Sequence, residues 1–364
     1  MLTEKPDFLL DQQIRNRRIL RLAFGTAFSM WVSQAAGWSL SYIAPILTLS
    51  LLAMPISRPK LKFFIVVILA LTVSIYGAFI FLPLLIHFKV VGLLILSLAL
   101  FHCFYFTARG GTAVVGTLLT IGITVTVAVG TVSIDALIVV AQGVAFGALV
   151  GAVIAWLSHM FLPDPLIPVT ENSSATPVKP VIELAVARRK AMRSLAVVLP
   201  VIIWFLLSSA SIMNVAVMIK VAAMGQETSN EQVKDAGKSL IISTFAGGLA
   251  AVIAWQFLTV WPSLTIYTLL IAVASLIFGA KIFSGRGLYP DGATWSYALL
   301  TMIIVLAPAA LDSQFGNSAG AGFYGRLLML MGASMYGVGA VYVFDAFWPA
   351  SGKPASSRME RTPG

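Results

Sequence analysis

One cysteine in 364 residues, Cys103, set inside an apolar run, rules out an intrachain disulfide or a thiolate metal site. Three histidines and 14 acidic residues form no cluster at metal-ligand spacing, and neither an HExxH pair nor a GxSxG elbow occurs, so no cofactor, metal or catalytic role is expected. Gly237-Lys238-Ser239 matches the end of a phosphate-binding loop, but Gln232 stands where that motif needs glycine, which excludes ATP there. Charge is scarce as well. Only 10% of residues are charged, against roughly 25% in soluble proteins, so water is not the main solvent. The first 20 residues are polar and basic with no apolar stretch, and a removable signal peptide is not expected.

What the chain does have is apolar length. A membrane-spanning helix needs about 20 mainly apolar residues, and such segments occur at 20–38, 42–57, 63–85, 90–106, 112–132 and 136–162. A linker rich in Pro, Ser and Thr follows, and then come 194–211, 213–224, 239–260, 264–283, 294–311 and 324–348. The expected fold is an all-α polytopic membrane helix bundle of about 12 transmembrane helices. Its parts would be a first membrane half (1–162), a linker (163–187), a second half (188–349) and a tail (350–364). The stretch 213–224 is the shortest, and a re-entrant or broken helix is the alternative there.

Positive charge fixes an orientation. Of the 24 lysines and arginines, 21 fall in clusters at every second gap between apolar segments, the exceptions being Lys89, Lys220 and Arg326. Short basic loops stay on the cytoplasmic side, so both termini and the linker are expected in the cytoplasm of a bacterium, with the bundle in its inner membrane. Basic residues placed between apolar runs suit lipid headgroups and not nucleic acid. The halves also match each other. Arg18-Ile-Leu-Arg21 corresponds to Lys190-Ala-Met-Arg193, Phe106-Thr-Ala-Arg109 to Phe283-Ser-Gly-Arg286, and Phe161-Leu-Pro163 to Phe347-Trp-Pro349, at offsets of 172, 177 and 186. An even number of spans in each half makes these parallel six-helix repeats.

Arg18 and Arg21 before a small-residue-rich segment, Pro45 in the next, and then Arg58 and Lys60 resemble the opening of the fusaric acid resistance and aromatic acid exporter family. The resemblance implies export of small organic, aromatic carboxylic acids, with a periplasmic adaptor protein as partner. Longer members carry large cytoplasmic domains, where a short linker and tail are expected from this sequence.

Ionisable groups at membrane depth cost roughly 2.5–3.5 kcal/mol on insertion scales, so each calls for an explanation. Lys220 either binds an anionic substrate or snorkels to the interface. Arg326 either holds a carboxylate through paired hydrogen bonds or anchors the last span beside Asp312. Asp135 and Asp312 occupy corresponding outward turns, as proton relays or as solvated caps. His102, inside the fourth span, either exchanges protons near neutral pH or simply packs. Gln34, Asn214, Gln142 and Gln256 line a path or bridge helices. Pro45 and Pro308 are expected to break their helices, and Gly143, Gly147 and Gly151, with Gly325, Gly332, Gly337 and Gly339, to let helices approach closely.

The function expected is proton-driven efflux of small organic anions. The alternative is a non-transporting scaffold or assembly subunit of an export complex. Whether the chain forms a homo-oligomer is left open.

Overall fold

The computed structural model describes residues 5–38, 40–56, 59–165, 183–207, 215–230, 233–314 and 319–349. The described residues fold as helices in the order α1 (Lys5–Ala35), α2 (Ile43–Leu52), α3 (Leu61–Ala78), α4 (Leu82–His87), α5 (Lys89–Ala108), α6 (Ala113–Gly130) and α7 (Ile134–Phe161). After the linker come α8 (Leu184–Leu207), α9 (Val215–Asn230), α10 (Val233–Val260), α11 (Leu264–Ile282), α12 (Gly292–Gln314) and α13 (Ala319–Phe347). Away from water, each backbone N–H and C=O must be satisfied within its own segment, which selects helices for every apolar run.

Among the described residues, eight stretches are long and apolar enough to cross a membrane, counting α3 and α4 as one continuous stretch, Leu61–His87. The architecture is that of a multi-pass membrane protein. Four helices fall short of that test. Arg18 and Arg21 lower the hydropathy of α1, and Arg188, Arg189, Lys190 and Arg193 that of α8. At ten residues, α2 is about 15 Å long, half the hydrocarbon thickness. The apolar run at 42–57 promised more, but the helix stops at Leu52, ahead of Pro55. The helix α9 has 16 residues and ends in the polar Gly225-Gln-Glu-Thr-Ser-Asn230. Elsewhere the helices outrun their apolar cores: α8 starts at Leu184, inside the stretch read as linker, because Leu-Ala-Val-Ala-Arg-Arg are good helix formers.

Glycine makes the turns at one end of the bundle. Gly110 after α5 (φ 90) and Gly285 after α11 (φ 96) take the left-handed conformation that ends a helix without a Cβ penalty. At the other end, Ser133 and Ser263 cap α7 and α11, each hydroxyl oxygen accepting at 3.2 Å from the N–H three residues on.

The packing has a centre and a rim. α6 and α12 are buried over 78% and 72% of their most apolar stretches, whereas the other six candidate spans reach only 22–50%. Alongside them lie α2 and α9, with Ile43–Leu49 and Val217–Thr228 wholly buried. Around this centre α1 packs on α2, α7 and α11, and α8 packs on α9, α13 and α5. α3 packs on α6 and α7, and α10 on α12 and α13. Gly147 and Gly151 of α7 face Ile43 and Ala44 of α2 so closely that a Cβ on either would meet them. In contrast, a Cβ on Gly325, Gly332 or Gly339 of α13 would have nothing within 4 Å, so these glycines do not serve a close helix approach within the described chain.

The prolines act differently from expectation. Pro45 sits in the first turn of α2, where its missing N–H costs no hydrogen bond, so it does not break the helix. Pro308 does lie inside α12. Pro200, inside α8, takes a donor away from the Ala196 carbonyl, and Tyr336 of α13 supplies it, its hydroxyl donating at 3.0 Å. Tyr336→Phe is expected to leave that carbonyl unsatisfied and lower stability by about 1 kcal/mol, read from thermal unfolding in detergent.

Candidate functional site

The described chain buries two kinds of ionic cluster. The first kind ties helix ends at the basic face of the bundle. Asp164, just past α7, accepts from Arg18 Nε at 3.1 Å and Arg21 Nη1 at 2.9 Å, and all three side chains are at most 3% exposed. Arg18 also donates to the carbonyls of Gly285 (3.3 Å) and Arg286 (2.9 Å), which joins α1 to the turn before α12. In the second half Arg189 and Arg193 of α8 pair with Asp345 of α13 in a comparable clamp. Arg18, Arg21 and Arg193, expected at the headgroup surface, are fastened inside the protein, and Arg189 is partly buried.

The second kind lies in the centre. Lys220 and Glu227 of α9 are seven residues apart, which at 3.6 residues per turn puts them on one face. Both are fully buried, with Nζ 4.0 Å from Oε2. Next to the carboxylate, Ser239 of α10 donates to Glu227 Oε1. Since a hydroxyl has one proton, the 2.6 Å contact between Ser239 and Thr294 of α12 must be donated by Thr294. One turn deeper, Lys220 Nζ reaches Ser243 Oγ at 3.5 Å and lies 5.5 Å from the centre of the Tyr297 ring. That ring offers an ammonium the negative face of its π system. The ammonium has three donors for these partners, and Glu227 Oε2 has no hydrogen bond. The pair is buried but incompletely satisfied.

Gln226, beside Glu227, donates from Nε2 to Thr120 Oγ1 of α6 at 3.2 Å. Below it Arg193 donates to the Thr228 carbonyl, and the Ser194 and Thr228 hydroxyls lie 3.1 Å apart. The polar end of α9 is therefore gripped by α6, α8, α10 and α12. This environment explains why Gly225–Asn230 stays helical although its composition suits a loop. Gly225 has Phe104 of α5 and Val198 of α8 where a Cβ would stand.

A cavity of about 260 Å³ adjoins this cluster, between α2 and α6 on one side and α9 and α12 on the other. It extends from Met54, Pro55 and Leu288 at the basic end to Ile121, Ile219 and Leu300 at its deep end. Its wall is mainly apolar, with the hydroxyls of Ser50, Thr117, Ser296 and Tyr297. Tyr297 thus borders both the cavity and Lys220. An apolar slot with a few hydroxyls and a cation behind its wall suits a small molecule with an apolar body and a negative end.

The other candidates are scattered. Arg326 is buried in α13 toward the opposite end of the bundle, near Tyr42, and Gln34 is buried late in α1 beside Tyr267. His102 is on the exposed face of α5, its Nδ1 2.8 Å from the Leu98 carbonyl, so it is not on an interior path. Asp135 is exposed in the first turn of α7, where a negative charge complements the helix dipole. Asn214 and the side chain of Asp312 lie outside the described residues. Glu227, Gln226, Ser239, Thr294 and Tyr297 were not among the candidates. For Glu227 the available signal was the i, i+7 spacing from Lys220.

Residues 18–158 match the model of a family described as Protein of unknown function (DUF2955), a stretch running from α1 to the end of α7. No curated protein matches the chain. No solved structure matches it either.

Proposed function

We propose that this protein exports small organic acids, aromatic carboxylic acids in particular, across a bacterial inner membrane, with both chain ends in the cytoplasm. The observation that carries this reading is the cavity between α2/α6 and α9/α12, bordered at its deep end by Tyr297 with Lys220 beyond. Met54, Pro55 and Leu288 line its end nearest the basic face, which the positive-inside rule assigns to the cytoplasm, and its lining suits an aromatic ring. The resemblance of residues 18–60 to the fusaric acid resistance and aromatic acid exporter family points to the same substrate class, and to a periplasmic adaptor as partner.

Transport also calls for two bodies that can move against each other, and we read the two halves as parallel repeats. In support, the packing of α1 on α2 and α7 has its counterpart in α8 on α9 and α13. Likewise α3 on α6 corresponds to α10 on α12, and the crossing pair α1 with α11 to α8 with α5. The offset of 172 takes Thr48 to Lys220, and that of 177 takes Thr117 and Thr120 to Thr294 and Tyr297. Thr117 and Tyr297, one from each half, line the cavity, and the lysine has a threonine as its counterpart.

Thr117→Trp fills the cavity from α6 without touching the ion pair. Cells with this variant are expected to lose labelled hydroxybenzoate no faster than cells lacking the protein, at equal amounts of folded protein in the membrane. Efflux at the parent rate would remove the cavity from the path.

A further inference from the structure

Adding an anion to the central site changes its charge, and the surroundings of Lys220 and Glu227 show how that charge can be balanced. With the pair ionised the site is neutral, and it is shut off from water, both side chains being fully buried. A substrate carboxylate arriving beside Lys220 would bring a second negative charge, and an unpaired charge in such a place is strongly unfavourable. Among the described residues, the charge acting on Glu227 is that of Lys220. Of the helices packed against α9, α6 has no ionisable side chain. α8 presents Arg193, committed to Thr228 and Asp345 of α13. α5 presents Cys103, α12 presents Tyr297, Lys238 of α10 is exposed, and α13, which also packs on α9, carries Asp345, paired with Arg189 and Arg193. Neither a second buried carboxylate nor a spare cation faces the site among the described side chains.

We infer that Glu227 is a proton-binding site coupled to the anion site at Lys220. The incoming carboxylate replaces Glu227 as the partner of Lys220, and Glu227 takes a proton on Oε2 from a hydronium ion of the solvent that enters with the anion. One O–H bond of the hydronium breaks and one O–H bond of the carboxylic acid forms, and the site holds one cation, one anion and one neutral acid. Ser239 continues to donate to Oε1, so the displaced carboxyl stays anchored. This rests on the anion-transport reading and gives its coupling a sign. Proton and anion enter together, the load is electroneutral, and the membrane potential does not drive it. Outward flow then follows the acid's own accumulation, which departs from the expected proton-driven efflux.

The test uses the full chain, purified in detergent, with benzoate as probe between roughly pH 6 and 8, where its carboxyl stays ionised. Titration calorimetry in buffers of different ionisation enthalpy reads the protons taken up per benzoate bound. The parent is expected to take up one, its affinity falling toward tenfold per pH unit as pH rises. Glu227→Gln should bind benzoate with no uptake and a flat pH profile, and Glu227→Asp should restore both. Uptake that persists in Glu227→Gln, or parent binding without uptake, overturns the coupling and leaves the anion site standing. Absence of benzoate binding by the parent across the whole range overturns the anion site and the coupling with it.

Discussion

Lys220→Met is expected to abolish transport and to destabilise the protein by about 3–5 kcal/mol, the usual cost of removing one partner from a buried ion pair. Methionine fills nearly the same volume, so the loss comes from Glu227, which among Ser239, Thr294 and apolar side chains must either remain an unpaired buried charge or take up a proton at a cost in free energy. The double variant Lys220→Met/Glu227→Gln removes both charges and should regain most of the stability, since an isosteric neutral pair avoids desolvating two ions. It should not regain transport. Thermal unfolding in detergent and efflux from loaded cells separate the two effects. A single variant as stable as the parent would mean that Glu227 is neutral in the resting protein, and the ion-pair account would fail.

Asp164→Asn should be almost as damaging to stability, about 3–5 kcal/mol, because two buried guanidiniums share that one carboxylate. Once it is neutral, Arg18 and Arg21 face each other with only carbonyl oxygens and an amide as partners. Helix α1 would then lose its hold on the end of α7 and on the turn at Gly285–Arg286. The comparison that makes this sharp is Asp11→Asn. Asp11 pairs with Arg286 at 2.7 Å, but both are nearly half exposed, and such pairs contribute about 1 kcal/mol or less. Salt should also weaken the Asp11 pair and barely affect the Asp164 clamp. Equal losses in the two variants would show that burial is not what makes the clamp strong.

Much of the helical framework is readable in the amino-acid order, because an apolar run of about 20 residues has few other options in lipid. Lys220 could be picked out for the same reason, being a lone charge in such a run. Glu227 could not. It stands in Gly225-Gln-Glu-Thr-Ser-Asn230, which has the composition of a loop, and its helical state comes from partners on α6, α8 and α10, 12 to 106 positions away. The brevity of α2 was hidden in the opposite way, since the apolar run continues past Leu52 while the helix does not. Arg18, Arg21 and Arg193 carry the same charge at a headgroup surface or inside a clamp. Asp164 and Asp345, which decide between the two, lie some 140–160 positions along the chain.

The enclosure of α9 bears on how the protein is made. As it leaves the ribosome, this segment is too short and too polar to partition into lipid alone, each ion adding roughly 2.5–3.5 kcal/mol to its insertion. Its partners for those ions, on α10 and α12, are synthesised later, while α5 and α6, which also enclose it, are already in place. α9 must therefore wait at the translocon or the membrane surface and enter together with the helices that follow it, which makes the last third of translation the step on which assembly of the whole bundle turns.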